Sequence, residues 1–411
     1  MQTLFTSQFF ITNRQKLQKA LPDDALVVIA AHGLLQQSAD TTYPFRQDSN
    51  FAYLTGLNLP DLVLVMDAAE TYVIVPGRSS SREAFDGTID KKMLAATSGV
   101  AQIVDDDSGW ERLGAQLKKH GAVHTLQAPA PYIEHYGLYT NPARARLVER
   151  LKTWQPDARI VDIREHLVAA RMVKQPEELQ AIRQAIAVTE DGIRKVTQSG
   201  RLETFKNEYE IENELTRAFR TDVAGGHAFS PIVASGARAV TLHNVENTGA
   251  LASGELIVID VGAQVHNYAA DITRTVAYGR SSQRQQDVYQ AVLDVQAYAL
   301  GLLKPGTLLK DYEDQVAGYL GTQLQSLGLI QSSDAGSIRA YYPHAASHFL
   351  GLDVHDVGDY ARPLEPGMVL TCEPGIYIPE EGIGVRIEDD ILITATGHEL
   401  LSEALPRRLS A

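Results

Sequence analysis

Near its start the chain carries short, unbroken hydrophobic runs: ALVVIAAH, DLVLVMD and TYVIVPG, each rich in β-branched residues and bounded by Asp, Gly or Pro. Such runs suit strands buried on both faces and separated by helices, so the sequence to about residue 125 predicts an α/β arrangement. The stretch ARARLVERLKTWQPDARIVDIREHLVAARMVKQPEEL is polar and reads as helix. It places a domain boundary near 160, with an α/β domain over residues 1–160 and a second domain over 161–411. In KQPEELQAIRQAIAVTEDGIRKV the period changes, because Leu179, Ile182, Ile186 and Ile193 recur at helical spacing. Pro176 suits the first helical position, and Glu177 and Glu178 suit the positive helix start. Further helices are predicted from Tyr209 to Phe219 and over QQDVYQAVLDVQAYALGLL, which ends at KPG. Strand-like runs lie between and after these helices, so the second domain reads as α+β.

A length of 411 residues agrees with two domains. The 44% apolar and 21% charged residues describe a globular protein, and no stretch is long and apolar enough to cross a bilayer as a helix. A formal charge of −14 argues against nucleic acid and anionic membranes as partners. The N-terminus lacks the basic start, apolar run and cleavage site of a signal peptide, which leads to an expectation of a cytoplasmic protein. The lone cysteine, Cys372, excludes an intrachain disulfide and a cysteine zinc cluster, and reads as small buried filler.

Part of the negative charge is patterned. In LIVIDVGAQVHNYAADITRT two apolar runs flank the polar centre QVHN, as in a hairpin. A turn centred between Val265 and His266 would set Asp260 directly opposite Asp271, with the two Cβ atoms on the order of 5 Å apart. MVLTCEPGIYIPEEGIGVRIEDDILIT repeats the construction: a turn centred between Glu380 and Glu381, in PEEG, sets Glu373 opposite Glu388. Opposed like charges cost stability, and hard cations between the carboxylates would remove that cost. YYPHAASHFLGLDVHDVGDY adds three histidines, His344, His348 and His355, and spacing alone does not say which of them joins the carboxylates. Carboxylates with one imidazole and no thiolate favour manganese, magnesium, cobalt or zinc. Two such ions can hold a bridging hydroxide as nucleophile and polarise a carbonyl, so hydrolysis is the expected chemistry.

The segments VIDVGA, ADITRT, SHFLGLDVHDVG, EPGIYI and GVRIEDD closely resemble those of the pita-bread metallopeptidases, the group containing aminopeptidase P, prolidase and methionine aminopeptidase. The resemblance implies a pita-bread catalytic domain with two divalent ions, most readily manganese, held by Asp260, Asp271, His348, Glu373 and Glu388. It also implies Glu373 as acid/base, and His243 in TLHN and His355 as groups that contact the peptide or stabilise the tetrahedral intermediate. His344 and Arg386 are candidates for substrate binding, and Arg386 for catalysis as well. SADTTYPFRQDSNFAYLTGLNLPDLVLVM resembles the non-catalytic N-terminal domain of aminopeptidase P and prolidase. That likeness implies a homodimer or homotetramer in which Asp40 or Arg46 reaches a neighbouring site. The activity implied is release of the N-terminal residue from peptides with proline in second position. The alternatives are a prolidase restricted to Xaa-Pro dipeptides, a catalytically inactive binding module on the same fold, and a hydrolase for another bond such as an organophosphate ester.

Two departures stand out. Several family members carry tyrosine where AFSPIVASG has Phe229, so a hydroxyl that would bond a ligand carboxylate is missing, and Arg386 is the residue placed to replace it. PEEG at 379–382 is also shorter than the loop many relatives carry there.

Overall fold

A computed structural model of the chain describes residues 4–127 and 137–409. The chain divides into two compact units, Met1–Ala170 and Arg171–Ala411. The first is longer than the expected 1–160 because Arg159–Asp162 is itself a strand of the first unit's sheet, paired in parallel with Ala122–Thr125.

That sheet has six strands in the order Gln102–Asp105, Thr71–Val75, Val63–Met66, Leu26–Ala30, Ala122–Thr125 and Arg159–Asp162. Leu26–Ala30 is buried along its whole length, as its unbroken apolar sequence requires. Leu26, Val28 and Ala30 share one core with Val63, Val65, Tyr72 and Ile74 from neighbouring strands, and with Trp110, Leu113, Leu147 and Leu151 from the helices Asp106–Leu117 and Ala143–Trp154. Within this sheet the expectation of strands always separated by helices fails at one place. Val63–Met66 and Thr71–Val75 are consecutive antiparallel neighbours. Asp67 closes the turn between them by accepting the N–H groups of Ala69 and Glu70, so no helix intervenes and the sheet is mixed.

The second unit opens with the helix Pro176–Thr197, started by a capping box between Gln175 and Glu178. Glu208–Phe219, Gln283–Leu302 and Leu309–Ser326 are its other long helices. Glu255–Val261 lies between Ile232–Ser235 and Ile272–Tyr278, antiparallel to both. Val369–Cys372 pairs with Asp389–Ile393, and Gly375–Ile378 with Ile383–Arg386. Antiparallel strands flanked by helices make this unit α+β.

Candidate metal centre

The acidic hairpins form, with one correction. His266 and Asn267 both take positive φ, 51° and 68°, and so make the two-residue turn between the paired Val265 and Tyr268. The turn centre therefore falls one residue later than expected, and Asp260 pairs with Thr273 instead of Asp271. A shift of the centre by one residue moves the partner by two, which preserves the face. Asp271 thus becomes a diagonal neighbour of Asp260, on the order of 7 Å away along the pair, and the two carboxylates share a space instead of colliding. Between them the backbones approach so closely that a Cβ on Gly262 would lie 1.7 Å from the carbonyl oxygen of Ala270, so only glycine fits.

The second hairpin has the expected register. Cys372 pairs with Asp389 on one side and Gly375 with Arg386 on the other, which leaves Glu373 facing Glu388 between the two ladders. The backbone there is tied to the rest of the site, Glu373 N–H donating to Ala346 O at 2.8 Å and Glu388 N–H to Thr273 O at 3.1 Å. His348 enters from a segment bonded to the same strand, since Thr371 N–H donates to His348 O at 2.9 Å.

Ligand atoms of Asp271, His348 and Glu388 lie within 4.8 Å of one another. His348 Nε2 is 3.5 Å from Asp271 Oδ2 and 3.4 Å from Glu373 Oε1, while Nδ1 is 3.0 Å from the Phe349 carbonyl oxygen. A carbonyl oxygen can only accept, so Nδ1 carries a proton, and Nε2 is the ring nitrogen turned toward the carboxylates, where its lone pair would meet a bound cation. Asp260 Oδ1 and Asp271 Oδ1 are buried without a hydrogen-bond partner. Burial, then repulsion from Asp260, lifts the Asp271 carboxyl well above the usual range, and burial followed by repulsion from Asp271 does the same to Glu388. Burial raises Glu373 too, against the opposing pull of His348 and Arg386. Unpartnered carboxylate oxygens grouped with one imidazole nitrogen fit hard divalent cations.

This has a pH signature. Carboxyls raised in the metal-free fold add stability below the ordinary carboxylate range, near pH 4, and that contribution is lost as pH climbs through their raised values. Cations displace the protons and remove the repulsion, so the stabilisation they supply grows with pH. The melting temperature gained on adding manganese should increase between about pH 5 and pH 8. Melting curves of metal-stripped and metal-loaded protein at several pH values check this, and a gain that does not change with pH would refute it.

Around the carboxylates lies a hydrogen-bonded frame. Arg386 is buried and donates to Asp260 Oδ2 at 2.6 Å, to the Tyr377 hydroxyl at 2.8 Å and to Thr273 Oγ1 at 3.2 Å. Its guanidinium therefore grips a carboxylate that Phe229, which packs beside Gly262 without a hydroxyl, cannot reach by hydrogen bond. The Thr273 hydroxyl donates to Glu388 Oε2 at 2.6 Å. His344 Nδ1 donates to Ala345 O, and Nε2 accepts from Tyr377. Burial followed by the Arg386 charge pushes His344 down to about 3, so the ring is neutral at physiological pH. His355 is likewise pushed down to about 4, by burial and then by the neighbouring His348. Its ring stands against His348, centroids 4.3 Å apart. His243 is exposed on the segment after Val240, and its charge would oppose protonation of both His344 and His355. Asp40 and Arg46 lie on the surface of the first unit.

Sequence reasoning passed over three residues of this frame. Tyr377 and Thr273 stand inside EPGIYI and ADITRT and share a face with the candidate ligands, so strand alternation could have found them. Glu313, on Leu309–Ser326, accepts the Ala346 N–H with both oxygens, at 2.9 and 3.1 Å, and burial pushes it up to about 7. Nothing near it in sequence signals that contact.

The profile of metallopeptidase family M24 matches residues 180–395, more than half of the chain and including all five carboxylate and imidazole candidates. The chain belongs to metallopeptidase family M24. The profile of the aminopeptidase P N-terminal domain matches residues 10–124. Among relatives, the Xaa-Pro aminopeptidase of Haemophilus influenzae is 34% identical, with 91% of this chain and 89% of that protein aligned. Human Xaa-Pro aminopeptidase 3 is 30% identical over 94% of this chain and 80% of its own length. Among solved structures, proline aminopeptidase P II from Yersinia pestis superposes with a TM-score of 0.85 at 30% identity, covering 98% of each chain. Aminopeptidase P from Escherichia coli with the inhibitor Pro-Leu gives 0.86 at 30%, covering 98% of this chain and 96% of that one. As an M24 metallopeptidase the protein is a hydrolase. Among the described residues no helix is long and apolar enough to cross a membrane.

Proposed function

We propose that this M24 enzyme removes the N-terminal residue from peptides with proline in second position. The observation that carries the proposal is the convergence of Asp271, His348 and Glu388, with Glu373 and Asp260 beside them, in a chain whose relatives named Xaa-Pro aminopeptidase align across both units. Two divalent ions, most readily manganese, would be held by Asp260, Asp271, His348, Glu373 and Glu388; when bound they supply an activated water and polarise the scissile carbonyl. Glu373 would move a proton from the attacking water to the leaving proline nitrogen. His243 and His355, whose ring nitrogens have no hydrogen-bond partner among the described residues, meet the peptide and the charge that develops on it. Arg386 acts on Asp260 and Tyr377 and so holds the site in shape, a different part from direct contact with substrate. His344, both nitrogens engaged, orients Tyr377. A cytoplasmic homodimer or homotetramer completes the reading, in keeping with the acidic composition and the aminopeptidase P type of N-terminal domain.

The test is release of free glycine from Gly-Pro-Gly, Gly-Ala-Gly and Gly-Pro by protein supplied with manganese. Cleavage of Gly-Pro-Gly ahead of both others is expected. Cleavage of Gly-Pro alone would make the enzyme a prolidase, and faster cleavage of Gly-Ala-Gly would refute proline selectivity.

A further inference from the structure

The motif DVHDVG contributes His355 to the site, yet the two aspartates that bracket this histidine have no part in the chemistry derived so far. Both are held by one guanidinium: Arg171 Nη2 donates to Asp353 Oδ2 at 2.9 Å and to Asp356 Oδ1 at 2.5 Å. Lys174 Nζ adds a third bond, to Asp356 Oδ2 at 2.9 Å. The side chains of Arg171, Lys174 and Asp356 are almost wholly buried, whereas that of Asp353 is 39% exposed. The loop also folds back on itself, Asp356 N–H donating to Phe349 O at 2.8 Å and Gly351 N–H to Asp353 O at 3.1 Å. It is packed so tightly that a Cβ on Gly351 would come within 2.2 Å of Asp356 Oδ2.

Three charges withdrawn from water to this depth return little net stability, because desolvation offsets most of their attraction. Their placement suggests another use. The guanidinium holds the residue two before His355 and the residue one after it, while the ring of His355 has no hydrogen bond of its own among the described residues and rests 4.3 Å from that of His348. The orientation of the ring is thus set by its backbone, and the backbone by the clamp.

We infer that Asp353 and Asp356, gripped by Arg171 and Lys174, are positioning residues that fix His355 beside the metal centre. The inference rests on the reading of His355 as a group that meets the peptide. A double-mutant cycle between Asp356→Asn and His355→Ala, read as kcat/KM for Gly-Pro-Gly with metal content measured on every variant, tests it. A group misplaced by about 1 Å can lose on the order of 100-fold, so Asp356→Asn alone should lower kcat/KM by about 10- to 100-fold at unchanged metal content. In the His355→Ala background the same change should cost less than about 3-fold, since there is no histidine left to misplace. An equal loss in both backgrounds, or no loss alone, would overturn the clamp and leave the reading of His355 standing. Full activity in His355→Ala would overturn that reading, and the clamp with it. If Asp356→Asn does not fold, the cycle is run with Asp353→Asn, whose half-exposed side chain spares the core, and the same outcomes decide.

Discussion

Glu373→Gln should yield a folded protein whose kcat/KM for Gly-Pro-Gly is lower by about 100- to 10,000-fold, the span that a positioned acid/base group contributes. Three features argue for an effect this large. Glu373 is the carboxylate that Thr371 Oγ1 and His348 Nε2 approach together, at 3.4 Å each. Its backbone is fixed by Ala346, so a glutamine would occupy the same place. An amide there still offers an oxygen donor but cannot carry a proton from the attacking water to the proline nitrogen. The loss should fall on kcat more than on KM, since the proton moves only as the bond breaks. Steady-state kinetics with circular dichroism on the same sample provide the check, and wild-type kcat in a metal-loaded Glu373→Gln protein would remove Glu373 from the mechanism.

The second large effect separates binding from folding. Asp271→Asn should weaken metal binding by more than about 100-fold, beyond the 10- to 100-fold typical for losing a group that merely supports a ligand. The same change should raise the melting temperature of the metal-free protein by a few degrees. Asp271 is buried, faces Asp260, Asp390 and Glu373, and leaves Oδ1 unpartnered, so neutralising it relieves repulsion in the empty site. A residue kept for stability would shift the other way. Metal titration and thermal melts in chelator distinguish the two, and a less stable metal-free Asp271→Asn protein would show Asp271 to be a scaffold residue.

Much of this site could be read along the chain because its four candidate carboxylate ligands sit on hairpins, where register converts spacing into distance. Glu373 and Glu388 were placed opposite one another by a turn whose Pro379 and Gly382 mark its ends, and the ladders on either side keep that register. Asp260 and Asp271 came out on the right face but in the wrong pairing. The local sequence QVHN does not announce that His266 and Asn267 will both adopt left-handed backbone, because histidine and asparagine tolerate that region without requiring it as a glycine pair would. The domain boundary moved for a similar reason: Arg159–Asp162 has too few apolar residues to declare itself a strand, and only its pairing with Ala122–Thr125 makes it one. What stayed hidden depends on contacts far apart in sequence. Glu313 reaches Ala346 and Arg171 reaches Asp356 across gaps that no local period spans. The individual histidines were also indistinguishable by spacing, since what separates His348 from His344 is that its Nε2 faces Asp271 and Glu373 while the Nε2 of His344 faces Tyr377.

The central claim is that five residues on two hairpins and one adjoining segment create a two-ion site which drives peptide hydrolysis. Its most direct test is to strip the protein of metal, return manganese in measured steps, and follow glycine release from Gly-Pro-Gly against ions bound per chain. Activity should be absent from the stripped protein and rise to its plateau as about two ions bind per chain. Undiminished activity in stripped protein, or none at any loading, would contradict the account.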